Sequence, residues 1–181
     1  MLYFMKPIPK GTIDTTDWNP FIKNQWFKNH FMYFVYYLQT ALLISSIKLG
    51  VWGFSTVFIK VVLFVCTYVI HELLHMIVIY KAGDMSITHS GIFLWINSGA
   101  VLSKLRFFIF MSLPFISLTV IPAILCIFLS GELKDLAVYV SWINSIIAGS
   151  DIINSVLIAM KPKNTLFYRG YYKEKSRLSC R

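Results

Sequence analysis

The apolar positions of this chain run in long blocks rather than in short periods. Four blocks stand out, at residues 31–47, 54–80, 105–129 and 136–160. Each approaches or exceeds the length of about 20 apolar residues that crosses the hydrocarbon core of a bilayer as a helix. The residues between them punctuate helices. Asn19-Pro20 combines a capping residue with a first-turn proline, so the first helix is predicted over 20–49, ending near Gly50. Lys81 and Gly83 close the second block, Pro114 and Pro122 kink the third, and the fourth stops before Pro162. Residues 85–104 differ: short apolar runs at Ile92–Trp95 and Ala100–Leu102 flank Asn97-Ser98-Gly99, which is turn chemistry. The expected fold is an all-α polytopic membrane protein. About four transmembrane helices are expected, with a short β-hairpin or re-entrant loop after the second. The expected organisation is an N-terminal cytoplasmic or interfacial segment 1–30, a four-helix transmembrane domain 31–160, and a basic cytoplasmic tail 161–181.

Composition agrees with the blocks. The chain has 181 residues, 57% hydrophobic and only 14% charged. A soluble domain carries about a quarter charged residues. The net charge of +9 would suggest nucleic acid in a soluble protein. Here the cations sit beside the apolar blocks, where they face lipid headgroups and set topology, so no nucleic-acid partner is expected. Cations gather in the N-terminal segment, in the 81–106 connection and in the tail, while the other two connections hold only Lys48 and Lys134. That bias predicts four passes with both termini in the cytoplasm. The three cysteines show no pairing or metal-type spacing.

The second block contains His71-Glu72-Leu73-Leu74-His75, an HExxH motif. On a helix, residues i and i+4 share a face, so both imidazoles can reach one ion. Glu72 lies about 100° round the helix, where it can touch the ion's water. A catalytic zinc takes three protein ligands and keeps one open position. Within the apolar blocks the only acidic residues are Glu72 and Asp151. A carboxylate inside a span is costly and marks function by default. His71 lies ten residues before Lys81, and Asp151 ten before Lys161, so the two share one depth. With Zn²⁺, the charges of Asp151 and Glu72 sum to zero. Each residue also has a plainer reading: Asp151 as an interhelical hydrogen bond or ion-pathway group, His30 and His89 as interfacial or solvated side chains. Asn144, two turns before Asp151 on the same face, can bind substrate backbone or simply bridge helices. Pro114 frees a backbone carbonyl near the same depth.

These residues resemble a known group. The HExxH helix, the hairpin-like loop after it, and Asn144 to Asp151 in a later helix look like the site-2 protease type of intramembrane metalloprotease. More closely, the run Asn144-Ser145-Ile146-Ile147-Ala148-Gly149-Ser150-Asp151-Ile152-Ile153, followed by Lys161-Pro162-Lys163, resembles the DUF3267 family of bacterial membrane zincins. The resemblance implies a Zn²⁺ held by His71, His75 and Asp151, with Glu72 as general base. It also implies a substrate strand pairing with the loop after the HExxH helix. One departure is plain. Site-2 proteases carry a proline between the Asn and the Asp and a glycine after the Asp, whereas here no proline intervenes and Ile152 follows. The expected activity is zinc-dependent hydrolysis of peptide bonds in or near transmembrane segments of membrane proteins, in a bacterial cell membrane. The alternatives are a zinc-binding membrane protein with an immunity or regulatory role, which would tolerate loss of Glu72, and a transporter that holds no zinc.

Overall fold

The computed structural model of the chain describes residues 2–4, 6, 13–90 and 93–174. Helices dominate. They are α1 (Gln25–Lys48), α2 (Val57–Ile79), α3 (Lys104–Phe115), α4 (Ile121–Leu125), α5 (Gly131–Ile147) and α6 (Gly149–Ala159). A π-helical segment, Ile116–Val120, joins α3 to α4. The strands are β1 (Leu2–Phe4), β2 (Asn19–Pro20), β3 (Met85–Ser90), β4 (Phe93–Ser98), β5 (Leu102–Ser103), β6 (Thr165–Tyr168) and β7 (Tyr171–Glu174).

The helices are inside out relative to a soluble bundle. Along α2, Val57, Val61, Val65, Val69, Leu73 and Ile77 are all exposed, whereas Thr67, His71, His75 and Ile79 are buried. Both sets recur every fourth residue, which makes two stripes on opposed faces. One stripe shows apolar side chains outward and the other turns polar ones inward. An exposed apolar stripe of this length marks an interaction surface. By length and composition α2 and the continuous 22-residue helix Lys104–Leu125 can each cross a membrane. The pair α5 and α6, bent by 66°, makes a third crossing only if it counts as one span. The structure thus supports two spans, or up to three, rather than the four expected. Helix α1 has the length but is less apolar, and one reason is visible. Its Gln39 points inward and donates a hydrogen bond from Nε2 to the Ile146 carbonyl at 2.9 Å.

The expected fourth helix is broken in two at Ala148, a fully buried residue. The break leaves the Ile146 carbonyl to Gln39. It also requires Gly149, because a Cβ there would lie 2.8 Å from Gln39 Cγ.

Two small sheets correct the all-helical expectation. The first has the order β1-β3-β4, with β1 parallel to β3 and β3 antiparallel to β4. The hairpin after α2 is therefore present, but its turn is not at Asn97-Ser98-Gly99. Asn97 and Ser98 belong to β4, the connection falls at residues 91–92, outside the described residues, and the Gly99 N–H closes the base on the Asp84 carbonyl at 2.7 Å. The second sheet has the order β2-β7-β6-β5 and was not expected. Asn19-Pro20 forms β2, paired with Tyr171 and Tyr172, so it is not a helix start. The cap of α1 is Asn24, whose side chain accepts the Phe27 N–H at 3.1 Å. The segment expected as a basic tail contains the β6–β7 hairpin, and beyond Glu174 it lies outside the described residues. The two sheets gather the N-terminal segment, the 85–103 connection and the C-terminal hairpin at one end of the helices.

The first turn of α3 ties that end down. Lys104 Nζ donates to the carbonyls of Ala159 and Lys161, at the end of α6. Arg106 donates from Nε and Nη2 to the Val78 carbonyl, at the end of α2, at 3.1 and 2.9 Å. Terminal helix carbonyls have no partner within their own helix, and a cation there also complements the helix dipole.

Candidate metal centre

The regular helix α2 presents His71 and His75 one turn apart on its buried stripe, and the break at Ala148 turns the first turn of α6, with Asp151, toward them. The three side chains converge. His71 Nε2 lies 3.0 Å from Asp151 Oδ2, His75 Nε2 lies 3.1 Å from the same oxygen, and the two Nε2 atoms are 3.1 Å apart. All three residues are buried.

The outer ring nitrogens determine what this triangle is. His75 Nδ1 lies 2.6 Å from the Phe110 carbonyl, which can only accept, so Nδ1 carries the proton. His71 Nδ1 lies 2.8 Å from Asn144 Oδ1. That end of the amide is the oxygen, because Asn144 Nδ2 donates to the Pro114 carbonyl at 3.1 Å and to Thr119 Oγ1 at 2.9 Å. So His71 Nδ1 also donates. In neutral rings both Nε2 atoms then hold bare lone pairs, aimed at each other and at a carboxylate oxygen. Three lone-pair atoms in contact inside an apolar bundle repel unless a metal cation, or a proton on one Nε2, lies among them. Zinc with ligand bonds of about 2.0–2.1 Å in tetrahedral geometry spaces its ligand atoms about 3.3 Å apart. The triangle therefore fits a zinc ion with adjustments of a few tenths of an ångström, and the two N–H···O bonds are the outer supports that metal-bound histidines take.

One support, the Phe110 carbonyl, is freed by irregular backbone, and the other, Asn144, is braced by it. Pro114 has no N–H, so it leaves the carbonyl of Phe110, four residues earlier, without its helical donor. His75 uses that carbonyl. Thr119 lies in the π-helical segment, and such segments recur at functional sites. Its hydroxyl receives Asn144 Nδ2 and donates to the Ser141 carbonyl at 3.3 Å, while Ser141 Oγ donates to the Thr119 carbonyl at 2.9 Å. Asn144 is 0% exposed and both ends of its amide are engaged. It therefore stands behind His71, not at the surface of the metal cavity, where substrate contact was expected.

Glu72 does reach that cavity. A space of about 410 Å³ is lined by His71, Glu72, His75 and Asp151 together with Gln39, Tyr68 and Asn154. Among the described residues the Glu72 carboxylate makes no hydrogen bond or ion pair. His30 stacks on Trp26 at 4.6 Å and bonds the Trp26 carbonyl, far from the centre in the chain's first helix. The side chain of His89 is outside the described ones. Sequence reasoning missed Phe110, Thr119 and Gln39. The first was within reach, because the residue four before an intrahelical proline always offers a freed carbonyl.

Searches of curated proteins and of solved structures find no match to this chain. A family model does match, over residues 64–166, which is more than half of the chain and spans the HExxH helix, Phe110, Asn144 and Asp151. On that match the chain belongs to the DUF3267 family, whose description is putative zincin peptidase.

Proposed function

We propose that this protein is an intramembrane zinc endopeptidase, which hydrolyses peptide bonds in or near the transmembrane segments of other membrane proteins. One observation carries the reading. Glu72, a carboxylate without a hydrogen-bond partner among the described residues, faces the same cavity as a three-atom group that could hold a metal ion. A purely structural metal site would have no use for it.

A zinc ion held there would supply Lewis-acid polarisation of a scissile carbonyl and of a water. The chain's own residues do the rest. His71 and His75 keep their Nε2 lone pairs available because Asn144 and the Phe110 carbonyl hold the Nδ1 protons. Asp151 would offer one oxygen to the metal, and its other oxygen receives the Ser150 hydroxyl at 3.5 Å. Glu72 takes a proton from the attacking water and returns it to the leaving amine nitrogen. Membrane residence is supported by the two apolar helices and by the outward apolar stripe of α2. A topology with both termini cytoplasmic is supported by the sheets, which gather the cation-rich segments at one end. We read α1 and the bent α5–α6 pair as two further passes, which turn Ser46, Asn144 and Asp151 inward.

The test is Glu72→Gln. Gln keeps the size and can still hydrogen-bond a water, but it accepts no proton. Zinc should stay at the wild-type level while cleavage of a co-expressed single-span substrate falls by about 10²–10⁴. Full activity in that variant would sink the hydrolase reading and favour a zinc protein without catalysis.

A further inference from the structure

A second cavity, of about 600 Å³, lies at the sheet end of the molecule. It is a groove with the β3–β4 hairpin on one side and the β6–β7 hairpin on the other. It shares Ile96, Phe110 and Met111 with the metal cavity, so the two spaces adjoin across three apolar side chains. Phe110 is also the residue whose carbonyl holds His75, which puts that boundary directly against the supports of the metal ligands. The floor of the groove is aromatic. Phe21 meets Phe107 and Phe167 edge-on at 6.0 and 5.7 Å, and Phe107 meets Phe167 at 4.8 Å.

We propose that this groove is a substrate subsite. It takes an extended segment flanking the scissile bond and selects a bulky apolar side chain in it. The inference rests on the protease reading above. A peptide bond inside a helix is closed off by its own hydrogen bonds and must be drawn out as extended chain before it can react. Extended chain covers about 3.3–3.6 Å per residue, so a few residues beyond the cut have already left the metal cavity. Among the described cavities, the groove that adjoins that cavity is walled by strands and lies at the end where the polar segments gather. Its volume falls in the range of about 300–1,000 Å³ typical of ligand sites, and its apolar floor with a backbone-rich rim suits one large apolar side chain on an extended peptide. Much of the wall, Phe21, Phe167, Tyr168, Gly170 and Tyr171, lies outside the region 64–166 that carries the family match. The proposed selectivity would therefore be set largely by residues outside the matched region.

Two arms test it, both with the full-length protein in detergent. In the first, a library of single-span substrates randomised on both sides of the cut is digested, and the products are read by mass spectrometry. Wild type should enrich Leu, Met or Phe at one position near the cut by about tenfold, a discrimination typical of an apolar pocket. Phe167→Ala and the half-exposed Tyr171→Ala should flatten that preference while zinc content and preferences elsewhere stay unchanged. An unchanged preference in both variants, with cleavage intact, would overturn the proposal. The second arm needs no catalysis. Zinc-loaded Glu72→Gln is irradiated with a single-span substrate carrying benzophenone-alanine near the expected cut. Crosslinks should map to Thr165–Glu174. Crosslinks confined to the helices would leave the groove to lipid and overturn the proposal. No cleavage by wild type alongside crosslinks in the hairpin would count against the hydrolase and leave the subsite standing.

Discussion

Helix α2 and the two helices that face it solve different problems. Helix α2 is unbroken over 23 residues and sets two imidazoles and a carboxylate by spacing alone. The helices opposite are interrupted, one at Pro114 and the π-helical segment, the other at Ala148. The regular helix supplies two of the three candidate ligands. The irregular ones supply what a regular helix cannot, because all its interior backbone groups are already paired. The Phe110 carbonyl, freed by Pro114, orients His75. The bend at Ala148 aims Asp151 and leaves the Ile146 carbonyl to Gln39. In hydrocarbon a freed backbone group costs several kcal/mol unless something takes it, so each break comes with a named partner.

That contrast can be broken from either side. The largest effect should come from the ligands. His71→Ala, His75→Ala and Asp151→Ala should each cut bound zinc in purified protein to below about a tenth, since two protein ligands do not hold a catalytic zinc. Undiminished zinc in Asp151→Ala would remove that residue from the centre. Next come the supports. Asn144→Ala should weaken zinc by about 10–100-fold in a chelator competition, the usual cost of losing an outer partner. An unchanged affinity would mean that packing alone orients His71. Pro114→Ala should do less, below about tenfold, because the restored N–H competes for the Phe110 carbonyl without removing it. A loss as large as that in Asn144→Ala would show that Pro114 does more than release a carbonyl. The smallest effect on the metal should be that of Gln39→Ala. It strips the Ile146 carbonyl of its donor, costing about 1–3 kcal/mol in thermal unfolding while zinc affinity holds. A drop in affinity would make Gln39 part of the centre.

The sequence made the candidate His-His-Asp group legible because its chemistry is conspicuous in apolar surroundings. HExxH and a single further intramembrane carboxylate stand out there, and counting residues to the basic boundary brought His71 and Asp151 to one depth. The hairpin after α2 was legible for the same reason, as a polar interruption, although its turn was placed seven residues late. The second sheet was not legible. Its strands are two to four residues long and β2 pairs with β7 across some 150 positions, so no local period records it. The capping residue of α1 was misplaced because Asn19 and Asn24 offer the same side chain, and only the pairing of Asn19-Pro20 with Tyr171 and Tyr172 decides between them. Asn144 was singled out for substrate, and the support of His75 escaped because it is a backbone carbonyl, which residue types do not announce.

The cations of the first turn of α3 have a consequence for how the molecule meets lipid. Lys104 holds the end of α6 and Arg106 the end of α2, so the helices bearing Asp151 and the two histidines are fastened to one turn of a third helix. A bilayer thicker or thinner than the apolar surface is accommodated by tilt or by local deformation of the lipid. With their ends fastened together, α2 and α6 cannot slide past one another to relieve such a mismatch. On the four-pass reading proposed above they would tilt as one body, and the distance from His71 to Asp151 would be insulated from the thickness of the membrane around it.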